Sequence, residues 1–209
     1  MNEETYYNRI LTRIQNAEPE AVFVASDFVD IADVNTVWQT MMRLEKTHQI
    51  TRIIRGVYYK PVYSEFLGEY EAPSPHHVAM ALARKHNWTI APSGVTALNQ
   101  LGLSSQVSAK WSYISDGPTK YFFFSNTELK FIHRSNKEIS GMSYKTAMVI
   151  QALRAIGKTN IDLRTIQKLQ KLLTSKEKTI LLKEAQQTTA WIYSIIKQIC
   201  KEINNVSYS

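Results

Sequence analysis

Between Ser26 and Pro61 the chain reads SDFVDIADVNTVWQTMMRLEKTHQITRIIRGVYYKP, and this order of apolar and polar residues leaves few folds open. A short helical run and a turn come first. A longer amphipathic run follows, then two β-rich runs joined at Arg55-Gly56. That succession predicts a helix-turn-helix with a wing, a motif that commonly sets its second helix in the major groove of DNA.

The predicted roles follow residue by residue. Ser26 is placed to cap the first helix through its hydroxyl, with Phe28, Val29 and Ile31 as its apolar contacts. Asp33 is placed to cap the second helix. Val34, Val37, Met41 and Leu44 recur at spacings of three and four, which gives one inward stripe. The opposite face carries Asn35, Thr36, Gln39, Thr40 and Arg43, side chains able to hydrogen-bond base edges or phosphates. The helix is expected to stop near His48. Ile50–Ile54 and Val57–Lys60 then read as strands, and Gly56 supplies the positive φ of a tight hairpin.

From Arg43 to Lys60 there are five cations (Arg43, Lys46, Arg52, Arg55, Lys60) against the single acid Glu45, a surface suited to a phosphate backbone. On this reading Asn35, Thr36, Gln39 and Arg43 face the major groove. Thr40, Lys46, Arg52, Arg55 and Lys60 hold phosphates or reach the minor groove. The same motif also serves as a protein-docking module or a rigid spacer, and the local pattern leaves those alternatives open.

Charge is unevenly placed. The 209 residues carry a formal net charge of +7, which points to anionic partners. Residues 1–62 hold seven Lys/Arg and eight Asp/Glu, a net of −1. The remaining 18 Lys/Arg and 10 Asp/Glu give +8 to residues 63–209. A cationic patch on the first segment must therefore be local, with Glu3, Glu4, Glu18 and Glu20 turned away from it. The 44% apolar and 21% charged content are those of an ordinary globular protein. Cys200 is the single cysteine, so no disulfide forms within the chain and a reducing compartment fits. Its apolar helical surroundings make it core rather than nucleophile. The polar, acidic start MNEETYYNRI is not that of a signal peptide. No run approaches the ~20 apolar residues of a membrane span. The expected location is the cytoplasm.

The fold class read from the whole pattern is α+β: an N-terminal winged helix-turn-helix, then a mixed α/β C-terminal domain ending in a helical bundle. The domains are expected at 1–62 and 75–209, with 63–74, punctuated by Gly68 and Pro73, as linker. A helix from Glu3 to Gln15 opens the first domain, with Tyr6, Ile10, Leu11 and Ile14 inward. A short strand from Ala21 to Ala25 is placed to pair with the wing. The second domain begins with a helix from Pro75 to about Asn87, then a strand at Trp88–Ala91 and a helix at Val95–Leu101 stopped by Gly102. Strands follow at 110–115, 119–124 and 128–133, separated by Asp116-Gly117-Pro118 and Ser125-Asn126. Beyond Ser143 the chain reads as helices only. One is stopped at Gly157, a second runs Ile161–Leu173, a third is capped by Ser175, and a last spans Thr188 to about Ile203.

Catalytic and metal chemistry find no pattern here. The seven glycines are scattered, with no phosphate-binding loop. Pro92-Ser93-Gly94 reads as a capping turn rather than an anion site. His76 and His77 are adjacent and diverge by about 100° on a helix, poor geometry for paired metal ligands; with His86 and His133 they read as surface or domain-interface side chains. Asp116 sits at a strand end but within a turn dipeptide. No paired carboxylates or nucleophile–base spacing stands out, so no enzyme, cofactor or metal is expected. Tyr121–Phe124 reads as a buried strand, two rings inward and two against helices, in preference to a base-stacking platform. Arg154, Lys158, Arg164, Lys168 and Lys171, with Lys176, Lys178 and Lys183, form either a solvated face or a second surface for nucleic acid or an acidic partner.

The ordered series of short motifs resembles AbiEi-type antitoxins of type IV toxin–antitoxin, or abortive-infection, systems. It comprises Ile50-Thr-Arg-Ile-Ile-Arg-Gly-Val-Tyr-Tyr-Lys-Pro61, Ala91-Pro-Ser-Gly94, Ala97-Leu-Asn-Gln-Leu-Gly-Leu-Ser104, Gln106-Val107, Tyr113-Ile-Ser-Asp-Gly-Pro118, Ile150-Gln-Ala-Leu-Arg154 and Trp191-Ile192. The resemblance spans nearly the whole chain and rests on the series, since no single motif is specific. It implies a DNA-binding autorepressor acting on operator inverted repeats as two copies. It also implies a C-terminal domain that neutralises a nucleotidyltransferase-like toxin without a stable complex. One departure is His48-Gln49, where that family often has glycine before the first wing strand; this leaves the placement of the wing on its helix open. The rival readings are a protein-docking module, a stand-alone regulator without a toxin, and a nuclease subunit built around Asp116.

Overall fold

A computed structural model describes residues 5–66, 68–106, 109–135, 139 and 141–201. These residues form a mixed α+β fold with eight α-helices and three β-sheets. The chain divides into two compact units, Met1–Trp88 with Phe122–Leu129, and Thr89–Tyr121 with Lys130–Ser209.

In the first unit α1 (Tyr6–Gln15) is capped by Thr5, whose hydroxyl accepts the Asn8 amide at 3.3 Å. Ile10 and Ile14 are buried. Tyr6, expected inward, is exposed: at the first helical position its side chain leans back past the helix end and finds no turn to lie on. The expected start at Glu3 lies outside the described residues. The short helix expected at Ser26 is a 3₁₀ turn, Ala25–Phe28. Its start is closed by Asp27 rather than Ser26, the Asp27 carboxylate accepting the Val24 amide at 2.9 Å. Phe28 and Ile31 are buried, but Val29 is exposed.

Helix α2 (Val34–Lys46) begins as expected at Asp33, whose Oδ1 accepts the amides of Asn35 and Thr36 at 3.0 and 3.1 Å. Val37, Met41 and Leu44 form its inward stripe. The helix ends in a tight turn in which the Gln49 amide donates back to the Leu44 carbonyl at 2.9 Å. His48 holds φ +57° there, the left-handed conformation that glycine adopts most easily.

Strands β1 (Val22–Phe23), β2 (Thr51–Ile54) and β3 (Val57–Tyr59) form an antiparallel sheet in the order β1-β3-β2. Val22 faces Tyr59 and Phe23 faces Tyr58, so the first strand pairs with the hairpin as the sequence predicts. Gly56 turns the β2–β3 hairpin at φ +72°. Ile10, Ile14, Phe28, Val37, Leu44 and Ile50 are among the side chains of the core beneath the sheet.

The expected linker is not featureless. Tyr63–Ser64 (β4) and Glu69–Tyr70 (β5) pair as a small hairpin with the Tyr63 and Tyr70 rings edge to face at 5.3 Å. Helix α3 (Pro75–His86) then buries Val78, Ala79 and Leu82 and stops at Asn87 in the left-handed conformation. The sequence reading opens the second domain with this helix, but α3 falls in the first unit and packs on β1, β3 and the 3₁₀ turn. Its C-terminal cations explain why. Arg84 donates to Asp27 Oδ1 at 2.8 Å and to the Val22 carbonyl at 2.8 Å, and Lys85 donates to the Arg55 carbonyl. His86 stacks on Trp88, with ring centroids 4.5 Å apart.

The remaining strands are β6 (Ile90–Pro92), β7 (Lys110–Ser115), β8 (Lys120–Phe124) and β9 (Thr127–His133), in the order β6-β7-β9-β8. In β8 the rings of Tyr121 and Phe123 are exposed rather than covered, because β8 is an edge strand and only Phe124 is buried. In the second unit α5 (Tyr144–Ile156) is the central helix. Its residues Thr146 to Leu153 are buried all round, by strand β6 and by α4 (Gly94–Gln100), α7 (Ser175–Glu184) and α8 (Ala190–Cys200). Helix α6 (Leu163–Leu172) packs on α8. Caps are Ser143 for α5 and Asp162 for α6. Helix α7 is capped by Thr174 rather than Ser175, because Glu177 completes a capping box with Thr174. Helix α8 starts at Ala190, two residues later than expected, and the expected end at Ile203 lies outside the described residues.

Candidate nucleic-acid interface

Around α2 the buried residues Val37, Thr40, Met41 and Leu44 fix which side faces out. At about 100° per residue, the outward crown falls on Asn35, Met42 and Lys46, flanked by Trp38 on one side and by Gln39 and Arg43 on the other. All of these are exposed. Asn35, Gln39, Arg43 and Lys46 therefore stand where the sequence reading put them. Arg55 is exposed at the hairpin turn.

Four other predicted contacts are already engaged. Thr40 is buried, and its hydroxyl donates to the Thr36 carbonyl one turn back at 2.9 Å, so it cannot hold a phosphate. Thr36 is half-buried and its hydroxyl donates to Asp33 Oδ2 at 2.6 Å, part of the helix cap. Arg52 pairs with Glu45 at 3.2 Å. Lys60 donates to the Gln15 carbonyl at 2.9 Å, joining β3 to the end of α1. Charged and hydroxyl side chains look alike in sequence whether free or engaged; these partners lie on other elements or one helical turn away.

The sequence reading missed the apolar part of this face. Val34, assigned to the inward stripe, is 57% exposed, Trp38 is 52% exposed and Met42 is 36% exposed. Their spacing of four sets them in one row beside the polar row Asn35, Gln39 and Arg43. A helical wheel centred on Val37, Met41 and Leu44 places Trp38 and Met42 outside.

The two ends of α2 differ in charge. Hydrogen bonds from the Thr36 hydroxyl and amide hold the Asp33 carboxyl below the usual carboxylate range, so the N-terminus carries a fixed negative charge. The cations Arg43 and Lys46 lie in the last turns. An anion is thus repelled at the start of α2 and attracted at its end.

The second candidate surface lies in the second unit. Arg164, Lys168 and Lys171 recur along one side of α6, exposed, with Leu163 at 73% exposure beside them. Lys168 is engaged, donating to the Gly102 carbonyl just after α4. Arg154 closes α5 and Lys158 opens the 3₁₀ turn that follows. Counted by unit, the charge contrast is sharper than by the expected domains. The first unit holds 9 Lys/Arg and 12 Asp/Glu, a net of −3, and the second holds 16 against 6, a net of +10.

Other titratable groups are committed locally. Asp116 accepts the Thr89 amide at 2.8 Å and returns its own amide to the Thr89 carbonyl at 3.2 Å, a turn clasp. His133 Nδ1 lies 3.0 Å from the Gly117 carbonyl. His77 sits 3.5 Å from Glu20. Burial and the neighbouring His77 push His76 below the ordinary histidine range. Burial raises the Cys200 thiol, which donates to the Lys178 carbonyl at 3.6 Å. Among the described residues no group of three or more His, Cys, Asp or Glu could hold a metal ion, and no helix is long and apolar enough to cross a membrane.

Residues 9–181 match a family of unknown function, DUF6088. The chain belongs to that family. Among solved structures it is similar to the RV2827C protein from Mycobacterium tuberculosis, with 12% sequence identity and a TM-score of 0.42, over 94% of this chain and 76% of that one. A likeness at that level carries no argument about function. No curated protein matches the chain.

Proposed function

We propose that this DUF6088 member is a DNA-binding protein whose N-terminal unit is a winged helix-turn-helix, with α2 as recognition helix and the β2–β3 hairpin as wing. The observation that carries the reading is the outward face of α2. Asn35, Gln39, Arg43 and Lys46 stand exposed together there, a donor–acceptor and cationic set suited to base edges and phosphates. The order α1, β1, 3₁₀ turn, α2, β2, β3 supports it. Because the unit is net negative, contact is local, through Arg43, Lys46 and Arg55.

The resemblance to AbiEi-type antitoxins extends the proposal. The protein would be a non-enzymatic autorepressor on operator inverted repeats, and an antitoxin opposing a nucleotidyltransferase-like toxin through its second unit, without a stable complex. The reading is tested by titrating the DNA upstream of its own gene at several salt concentrations. Arg43→Ala with Arg55→Ala should weaken binding and lower the salt slope by about one per lost phosphate contact. Unchanged affinity and slope would remove the reading.

A further inference from the structure

The exposed row Val34, Trp38 and Met42 has no place in a purely hydrogen-bonding recognition helix. Large apolar side chains aligned at four-residue intervals along one exposed side of a helix mark a contact surface, whereas single exposed apolar residues do not. The row runs along α2 directly beside Asn35, Gln39 and Arg43, and the crown of the helix falls on the boundary between the two rows. Whatever covers one row therefore meets the other. The polar row carries Arg43 and Lys46 near its end, and the acid beside them, Glu45, is paired with Arg52. The occupant is thus apolar in part, anionic at its rim, and offers hydrogen-bond edges in register with a helix.

The major groove of A·T-rich DNA has this chemistry. Each thymine presents its C5 methyl group beside the O4 acceptor, adenine presents N6 and N7, and phosphates rim the groove. Asn and Gln pair with the adenine edge and apolar side chains pack on the methyl group. We infer that α2 reads thymine methyl groups through Trp38, with Val34 and Met42 beside it, so that the protein prefers A·T steps in the stretch of groove that α2 covers. The inference rests on the proposed DNA binding and names the chemistry that the site selects.

The test separates the two. The full chain is titrated at low salt against an alternating dA-dT duplex polymer and its dA-dU counterpart, which lacks only the C5 methyl group. A dI-dC polymer and its C5-methylated form present the same contrast on cytosine. Wild-type protein should bind each methylated member more tightly, by about fourfold for every methyl group it buries. Trp38→Ala should bring the ratio towards one; Trp38 is half exposed, so its replacement spares the core.

Binding of all four polymers with a ratio of one would overturn the inference and leave DNA binding standing. A ratio that survives Trp38→Ala would overturn the assignment to this row. Binding to none would overturn both readings. Sedimentation of both proteins closes the remaining route: a mass that falls from dimer to monomer in Trp38→Ala, with a wild-type ratio of one, would make the row a contact between copies of the chain.

Discussion

The guanidinium of Arg84, near the end of α3, donates to the carboxylate of Asp27 at 2.8 and 3.1 Å. The same carboxylate accepts the Val24 amide that starts the 3₁₀ turn before α2. Two segments 57 residues apart are thereby held to one anchor, which is why α3 belongs to the first unit.

Arg84→Ala should lower stability by about 1–2 kcal/mol, since hydrogen bonds to charged groups contribute about 1.5–3 kcal/mol and the Arg84 side chain is 44% exposed. Arg84→Lys should recover part of the loss, keeping the charge but not the paired geometry. Chemical denaturation of the full chain measures both. If Arg84→Ala unfolds at the wild-type midpoint, the clasp contributes nothing to the unit.

His48 bears on the turn that leads from α2 into the hairpin. A residue other than glycine in the left-handed region is disfavoured by about 1–2 kcal/mol. The turn at His48 is fixed by the Gln49-to-Leu44 hydrogen bond, so the conformation is not optional. His48→Gly should therefore stabilise the protein, by about 1 kcal/mol once the greater freedom of glycine in the unfolded chain is subtracted. A fall in the thermal midpoint would mean that the imidazole contributes more than the backbone strain removes.

How far the sequence reaches is visible in these residues. Local pattern locates Asp33, because capping needs only the amides two and three residues on. It locates Gly56, because a hairpin needs a positive φ, and it locates Val37, Met41 and Leu44, because one stripe must face a core. Residue type alone does not place Thr40, since a hydroxyl bonded to its own helix and one aimed outward are the same letter; only its position on the wheel beside Val37 and Leu44 sets it apart from Gln39. It also misses Val34, which matches the stripe by spacing but sits at the first helical position, where it is 57% exposed. Gly68 and Pro73 suggested a domain boundary between residues 63 and 74. The clasp of Arg84 on Asp27, a long-range contact that no periodicity encodes, decides that α3 goes with the first unit instead.

The division between Thr40 and its neighbours can be tested on DNA. Thr40→Val should leave DNA affinity unchanged while weakening the fold by about 0.5–1.5 kcal/mol, the net worth of its buried hydrogen bond to Thr36. Arg43→Ala should leave stability within about 0.5 kcal/mol, yet cost about 1–3 kcal/mol in DNA affinity. Paired titration and denaturation of both variants check this. A drop in affinity for Thr40→Val equal to that of Arg43→Ala would show that the hydroxyl turns outward on binding.

In the second unit Glu184 ties the end of α7 to the start of α5. Its carboxylate accepts the Ser143 amide at 2.9 Å and the Ser143 hydroxyl at 2.8 Å. Burial alone would raise its pKa, but hydrogen bonds from Thr146 and Ser143 outweigh it and hold the carboxyl below the ordinary glutamate range. A folded-state pKa below the unfolded one contributes stability that is fully present above the unfolded value, about 4.3. That stability is lost as pH falls from there through the folded value. The wild-type denaturation midpoint should therefore fall as pH drops below the ordinary glutamate range. Asp33, Asp162 and Glu177, each lowered by its own capping bonds, add to the same slope. Glu184→Gln keeps the shape and one acceptor but removes the charge. It should lower stability at pH 7 by about 1–2 kcal/mol and flatten the acid slope without abolishing it. If the variant follows the wild-type curve at every pH, the Ser143 contacts are made equally well without charge, and the depressed carboxyl contributes nothing to the joint between α5 and α7.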